Sequence, residues 1–167
     1  MKKSISSRRR FLSAAGVVAT SIILPNQVMG VLRKIKKPIK LGLIADLHQD
    51  VMHDGPARLK AFLDAMKEEN PDALVQLGDF AYPTKKNDAV TKAFEKAHSR
   101  TLNVLGNHEI DGGHTFDAVA KLWGMKGRYY TENINGLDLI VLDCNEKPKN
   151  HKGGYPAHIG EQQLEWL

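Results

Sequence analysis

The sequence predicts an α/β fold in which parallel strands give way to an antiparallel pair. Short apolar runs alternate with a helix-period pattern, the signature of β-α-β units. Each of the first three runs ends in a small polar cluster: Asp46-Leu47-His48, Gly78-Asp79-Phe80 and Gly106-Asn107-His108-Glu109. Further on, Asn135-Gly136 separates two short strand-like stretches, and Asn-Gly in that setting is the strongest short hairpin signal. A parallel sheet that becomes mixed, or is joined by a second sheet, satisfies all three observations.

The elements follow in order. Ile39 to Ala45 is an apolar run that reads as the first strand. The loop Gln49 to Pro56 holds Asp50, His53 and Asp54, which read as polar loop with a helix N-cap; a substrate contact by His53 is the sharper alternative. Ala57 to Asn70 is predicted as a helix, because Leu59, Phe62, Leu63 and Met66 fall at i, i+3, i+4 and i+7 on one stripe. Asn70-Pro71-Asp72 stops it. Ala73 to Leu77 is the second strand, and strand-helix-strand implies a parallel, right-handed crossover. Asn87 or Asp88 caps a helix running to about Arg100, with Val90, Phe94 and Ala97 on its inner face. Thr101 to Leu105 is the third strand. Asp111-Gly112-Gly113 reads as a flexible turn, and Thr115 as the cap of a short helix through Leu122. Residues 128–134 and 137–143 form the hairpin. A polar loop, Cys144 to Gly160, carries His151 and His158, which read as solvent-exposed. Glu161 begins a last helix.

Length and composition fit one domain with a real core. The net charge is +5, but five of the 24 basic residues lie in residues 1–30, which contain no acidic ones. From residue 31 onward 19 basic residues meet 19 acidic ones, so charge gives no case for a nucleic-acid partner. Residues 31–38, with Arg33, Lys34, Lys36 and Lys37, read as a basic linker. Cys144 is the single cysteine, which excludes an intrachain disulfide. Its place at the end of an apolar run predicts a buried small hydrophobe.

Residues 1–30 read as a targeting segment. Ser7-Arg8-Arg9-Arg10-Phe11-Leu12 is similar to the twin-arginine export motif, ahead of a weakly apolar run to Leu24. The expectation is an exported protein, periplasmic or extracellular, that meets the twin-arginine machinery. Membrane association is expected only through an uncleaved leader.

If the first three strands are neighbours, their loops bring Asp46, His48, Asp79, Asn107 and His108 to one sheet edge, where the open crevices of α/β folds lie. Carboxylate, imidazole and amide oxygen are ligands for Mn, Fe and Zn. Asp79 is the natural bridge, since a carboxylate can give one oxygen to each of two ions. Two ions about 3.5–4 Å apart clamp an in-line displacement at phosphorus. Gly78 and Gly106 stand where the chain turns off a strand and passes close to the site. Taken alone, Asn107-His108 also reads as a plain turn in which asparagine tolerates left-handed angles.

The blocks Asp46-x-His48, Gly78-Asp79 and Gly106-Asn107-His108-Glu109, in that order, resemble the first three blocks of the calcineurin-like metallophosphoesterases. The resemblance covers residues 39–167. It implies a four-layer α/β/β/α sandwich with mixed sheets, two divalent metal ions and hydrolysis of phosphomonoester, phosphodiester or pyrophosphate bonds by metal-activated water. It further implies that Asp46, His48 and Asp79 hold the first metal and that Asp79 and Asn107 hold the second. His108 then acts on the phosphate or the leaving oxygen. Glu109 orients His108 or a metal ligand from behind. The implied substrate is a phosphorylated small molecule or ester.

The family pattern continues with a lone His and a G-H-x-H block; no G-H-x-H occurs in residues 110–167, and His151 and His158 lack the strand-end setting of a ligand. Glu165-Trp166-Leu167 is also an uncapped place for a helix to stop. The expectation is the N-terminal portion of a longer domain, whose later histidines complete both metal shells. The rival readings are an exported non-catalytic metal-binding or interaction module, an inactive fragment, or a nuclease-type site with one metal.

Overall fold

A computed structural model describes residues 37–167. The expected leader and linker residues 31–36 lie outside them. The described elements are β1 (Leu41–Ile44), α1 (Gly55–Glu69), β2 (Ala73–Gln76), α2 (Asp88–Ala97), β3 (Thr101–Asn103), α3 (Phe116–Trp123), β4 (Tyr130–Ile134), β5 (Leu137–Val141) and α4 (Glu161–Trp166). Short 3-10 turns occupy Lys85–Asn87 and Asp111–Gly113.

The mixed α/β reading holds. β1, β2 and β3 form a parallel sheet with β2 in the centre, and β4 and β5 form an antiparallel pair. Leu41 lies opposite Ala73, and Leu74 opposite Thr101. All four residues of β2 are buried: the apolar Ala73, Leu74 and Val75 suit a strand covered on both faces, and Gln76 is satisfied by donating from Nε2 to Val104 O at 3.0 Å and accepting from Gly78 N at 2.7 Å. Leu74 faces a helical layer, packing with Leu59 of α1, Val90 and Phe94 of α2, and Val119 and Trp123 of α3. Ala73 and Val75 face the other way, against Leu102, Tyr130, Ile134 and Val141. The side-chain period of two thus divides the apolar residues between two cores. Helices, parallel sheet and hairpin follow as successive layers. Burial of each large side chain contributes about 1.5–3 kcal/mol.

Local chemistry explains most boundaries. α1 begins two residues before the expected Ala57, because Pro56 presets the first-turn dihedral. Asp54 sits at the N-cap position without capping through its side chain; its carboxylate instead accepts from Arg58 Nε at 2.9 Å. Asn70 ends the helix in the left-handed conformation. α2 stops at Ala97, short of the expected Arg100, because His98 Nδ1 accepts the Arg100 N–H at 3.0 Å and turns the chain. Ala97 is exposed, and Thr91 takes the inner-face place expected of it. Asn87 precedes α2 as expected but does not cap it: buried, it donates from Nδ2 to the Asp50 carboxylate at 2.8 and 2.9 Å. Thr115 does cap α3, accepting from Ala118 N at 3.3 Å.

The hairpin is as predicted. Asn135 and Gly136 both have positive φ, 52° and 99°, the requirement of a type I′ turn. The Asn135 amide donates to Asp72, which fastens the hairpin tip to the start of β2.

The expectation for Cys144 fails. It is exposed, and the buried residue at the end of this run is Asp143. Val141 and Asp143 share the inward face by strand alternation, and Cys144 falls on the other. Asp143 is paired with Arg128, whose Nε donates at 2.6 Å, and accepts from Asn145 N at 2.8 Å. Gln163 of α4 makes two 2.8 Å bonds with the Asp143 backbone. Among the described residues no helix is long and apolar enough to cross a membrane.

Arg128→Ala would leave the Asp143 carboxylate buried without its cation. The expected loss is about 2–3 kcal/mol, reduced from the fully buried case because Arg128 is partly exposed and the Asn145 donors remain. Denaturant unfolding of the variant beside the wild type measures it.

Candidate metal centre

The three parallel strands end at one edge, and the pairing of β1 with β2 continues beyond both. Leu77 N donates to Ile44 O at 2.8 Å, Asp46 N to Gly78 O at 3.2 Å, His48 N to Asp79 O at 2.9 Å and Gln49 N to Phe80 O at 3.1 Å. This ladder carries Asp46, His48 and Asp79 outward together. All three have left-handed φ, at 53°, 48° and 53°. Asp and His are among the residues that tolerate that region, but each such residue costs ~1–3 kcal/mol unless its surroundings hold it. Asn107, for which sequence offered a left-handed turn, is not among the residues with positive φ.

Several groups hold the strained backbone. Arg58 donates to the carbonyls of Asp46, at 3.4 Å, and of Leu47. Asp50, read from sequence as polar loop, accepts from Tyr82 N at 2.7 Å and so ties the first loop to the second. Glu109 is fully buried. Its carboxylate accepts the backbone N–H groups of Asp79 at 3.0 Å, Gly106 at 2.8 Å and Phe80. The support expected of Glu109 therefore goes to the backbone that presents Asp79, not to the His108 ring.

The two glycines are sterically required. A Cβ on Gly78, where φ is 102°, would meet Gly106 N at 2.7 Å, and one on Gly106 would meet Asp79 N at 2.3 Å. The second and third loops are in backbone contact there.

His48 Nε2 lies 3.5 Å from Asp46 Oδ1 and 3.7 Å from Asp79 Oδ2. Ligand atoms of these three residues all lie within 4.8 Å of one another. A carboxylate only accepts hydrogen bonds, and a neutral imidazole nitrogen can also turn a lone pair inward. A divalent cation fits such a donor set. Asp79 Oδ1 accepts the N–H of His108 at 2.9 Å, which leaves Oδ2 turned toward His48.

His108 is half-buried beside this group. Its ring stacks on Tyr82, with centroids 4.5 Å apart, and meets His48 edge-on at 4.8 Å. Its Nε2 is buried with no hydrogen-bond partner among the described residues. Asn107, also half-buried, precedes it at the mouth of the third loop. Tyr82 read from sequence as a turn residue, and nothing in its local pattern signalled the stacking. His53 is exposed and lies outside the Asp46–His48–Asp79 group, as do His151 and His158. A separate groove of about 730 Å³ between α1 and α2, floored by Leu59 and Leu74, contains none of the candidate ligands.

Residues 39–167 match the family model of the calcineurin-like phosphoesterases. No curated protein matches the chain. Among solved structures it is similar to a dimetal phosphatase from Danio rerio, with a TM-score of 0.55 and 16% identity. That match covers 77% of this chain and 63% of the other, so the chain spans less than two thirds of its structural relative. At this identity the likeness is one of fold.

Burial pushes the Glu109 carboxyl up to about 6 from 4.5, against the pull of its three backbone donors. The folded state therefore holds the proton more tightly than the unfolded chain. The resulting stability is complete below about pH 4.5 and is lost as pH rises through about 6, a change of roughly 2 kcal/mol. In the metal-free protein the melting-temperature advantage of wild type over Glu109→Gln is expected to be larger at pH 5 than at pH 7.5. Glu109→Gln itself should melt lower throughout, because its amide nitrogen must face at least one backbone N–H. The expected cost is about 1–3 kcal/mol.

Proposed function

The chain belongs to the calcineurin-like phosphoesterase family, and on that footing we propose that the full-length protein is a hydrolase that cleaves phosphomonoester, phosphodiester or pyrophosphate bonds at a dinuclear metal centre. The observation that carries this reading is the convergence of Asp46, His48 and Asp79 at the end of the central and first strands. In this proposal those three residues hold one ion, and Asp79 with Asn107 contributes to the second. Mn, Fe and Zn all suit mixed oxygen and nitrogen ligation. When bound, two such ions neutralise phosphoryl charge and make water nucleophilic near neutral pH.

The chain's own groups do the rest. Asp79 is placed by its backbone, which Glu109 clamps, so its carboxylate is oriented before any ligand arrives. Tyr82 limits the swing of the His108 ring by stacking on it. His108 Nε2 has no hydrogen-bond partner among the described residues, which supports a hydrogen bond to a phosphoryl oxygen or the leaving oxygen. The neutral balance of the chain beyond residue 30 supports a small phosphorylated substrate over a polyanion. The twin-arginine-like leader supports export to the periplasm or beyond, with residues 31–38 as linker to a domain that begins at residue 39.

Asp79→Asn is expected to remove bound metal and abolish hydrolysis of a generic phosphate ester, read by elemental analysis and product release. His108→Ala is expected to keep its metal and lower kcat by about 10²–10⁴-fold. Full metal content and full rate in Asp79→Asn would sink the assignment.

A further inference from the structure

We propose that Asp111 is a positioning residue of the metal centre, fixing which way round the Asn107 amide sits and bracing the His108 ring at its Nδ1 edge. This rests on the reading of Asn107 as a ligand to the second metal. Asp111 Oδ2 accepts from Asn107 Nδ2 at 3.3 Å, and the same oxygen lies 3.8 Å from His108 Nδ1. One carboxylate oxygen thus faces two adjacent site residues.

The amide argument is one of polarity. The oxygen and nitrogen of an asparagine side chain are nearly equal in size, so packing alone does not select between its two orientations. A carboxylate has no proton to give, so only the amide nitrogen can face it. With Nδ2 committed to Asp111, Asn107 Oδ1 points elsewhere and is free to act as a ligand. The reverse orientation would turn an NH2 group toward a cation.

Sequence alone reads Asp111-Gly112-Gly113 as a flexible turn, but its backbone is tied back. The N–H groups of Ile110 and Asp111 both donate to Asn107 O at 3.1 Å, which folds Asp111 over the residue it orients. Glu109, between them in sequence, is turned away into the clamp on Asp79 and Phe80. Asp111 is therefore the carboxylate that serves the Asn107 side.

The test is calorimetric titration of the metal-free, full-length protein with Mn²⁺, comparing wild type, Asp79→Asn, Asp111→Ala and Asp111→Asn, with a melting curve for each. Wild type should bind two equivalents. Asp111→Ala should bind the first normally and the second about 10–100-fold more weakly, with an unchanged metal-free melting temperature, since the side chain is half exposed. Asp111→Asn should restore the second equivalent, because its own amide oxygen can accept the bond. Wild-type affinity for both equivalents in Asp111→Ala, while Asp79→Asn loses them, overturns this inference and leaves the proposed function standing. So does an Asp111→Asn as weak as Asp111→Ala. Loss of both equivalents with a lowered melting temperature would mark Asp111 as turn support only and overturn it as well. Two equivalents retained in Asp79→Asn, or a single equivalent in wild type, overturns both proposals.

Discussion

The site depends on one carboxylate that never reaches it. Glu109 lies beneath the second and third loops and gathers three backbone N–H groups from residues 79, 80 and 106. Without an acceptor there, those donors would be buried and unsatisfied where two loops are in backbone contact. With it, Gly78 and Gly106 can touch, and Asp79 is held in a conformation that an isolated chain would leave. The central strand matters for the same reason. Because β2 lies between β1 and β3, Asp79, past its end, has a loop on either side, which suits the bridging role proposed for it.

What was legible in the sequence is what is encoded locally. Strand runs, the Asn135-Gly136 turn, the Thr115 cap and the apolar stripe of α1 each require only neighbours a few residues away. The meeting of Asp46, His48 and Asp79 was legible too, because strand-end clusters behind apolar runs already imply a shared edge. Its supports were mostly not. A supporting role was expected of Glu109, but not the backbone donors it meets 29 and 30 residues back; Asp50 binds Tyr82 and Asn87 across more than 30 residues, and Arg58 reaches back to the carbonyls of residues 46 and 47. No periodicity encodes such bonds. Cys144 was misplaced through strand parity: one step along the run exchanges the inward and outward faces, and the sequence pattern does not mark where the step falls. His98 ended α2 early through a side-chain bond to the backbone, a competition that helix periodicity does not register.

The hairpin layer reaches the site through polar links as well as apolar packing. Asn145, just past the buried Asp143, donates from its side chain to Leu105 O at 2.9 Å. Leu105 precedes Gly106, so the run that holds α4 through Gln163 also steadies the start of the third loop. The exit of β3 is thereby fixed from both sheets. This suits the roles proposed for the next residues, Asn107 and His108, since a metal centre tolerates displacements of only fractions of an ångström.

The three left-handed residues of the candidate metal centre set stability against use. Glycine at position 46, 48 or 79 would relax the backbone and remove a candidate ligand in the same step. Asp46, His48 and Asp79 therefore stand where a search for thermal robustness and a search for chemistry pull in opposite directions. Lineages or libraries selected only for persistence of the fold would drift toward glycine there, whereas selection for turnover would keep the strain.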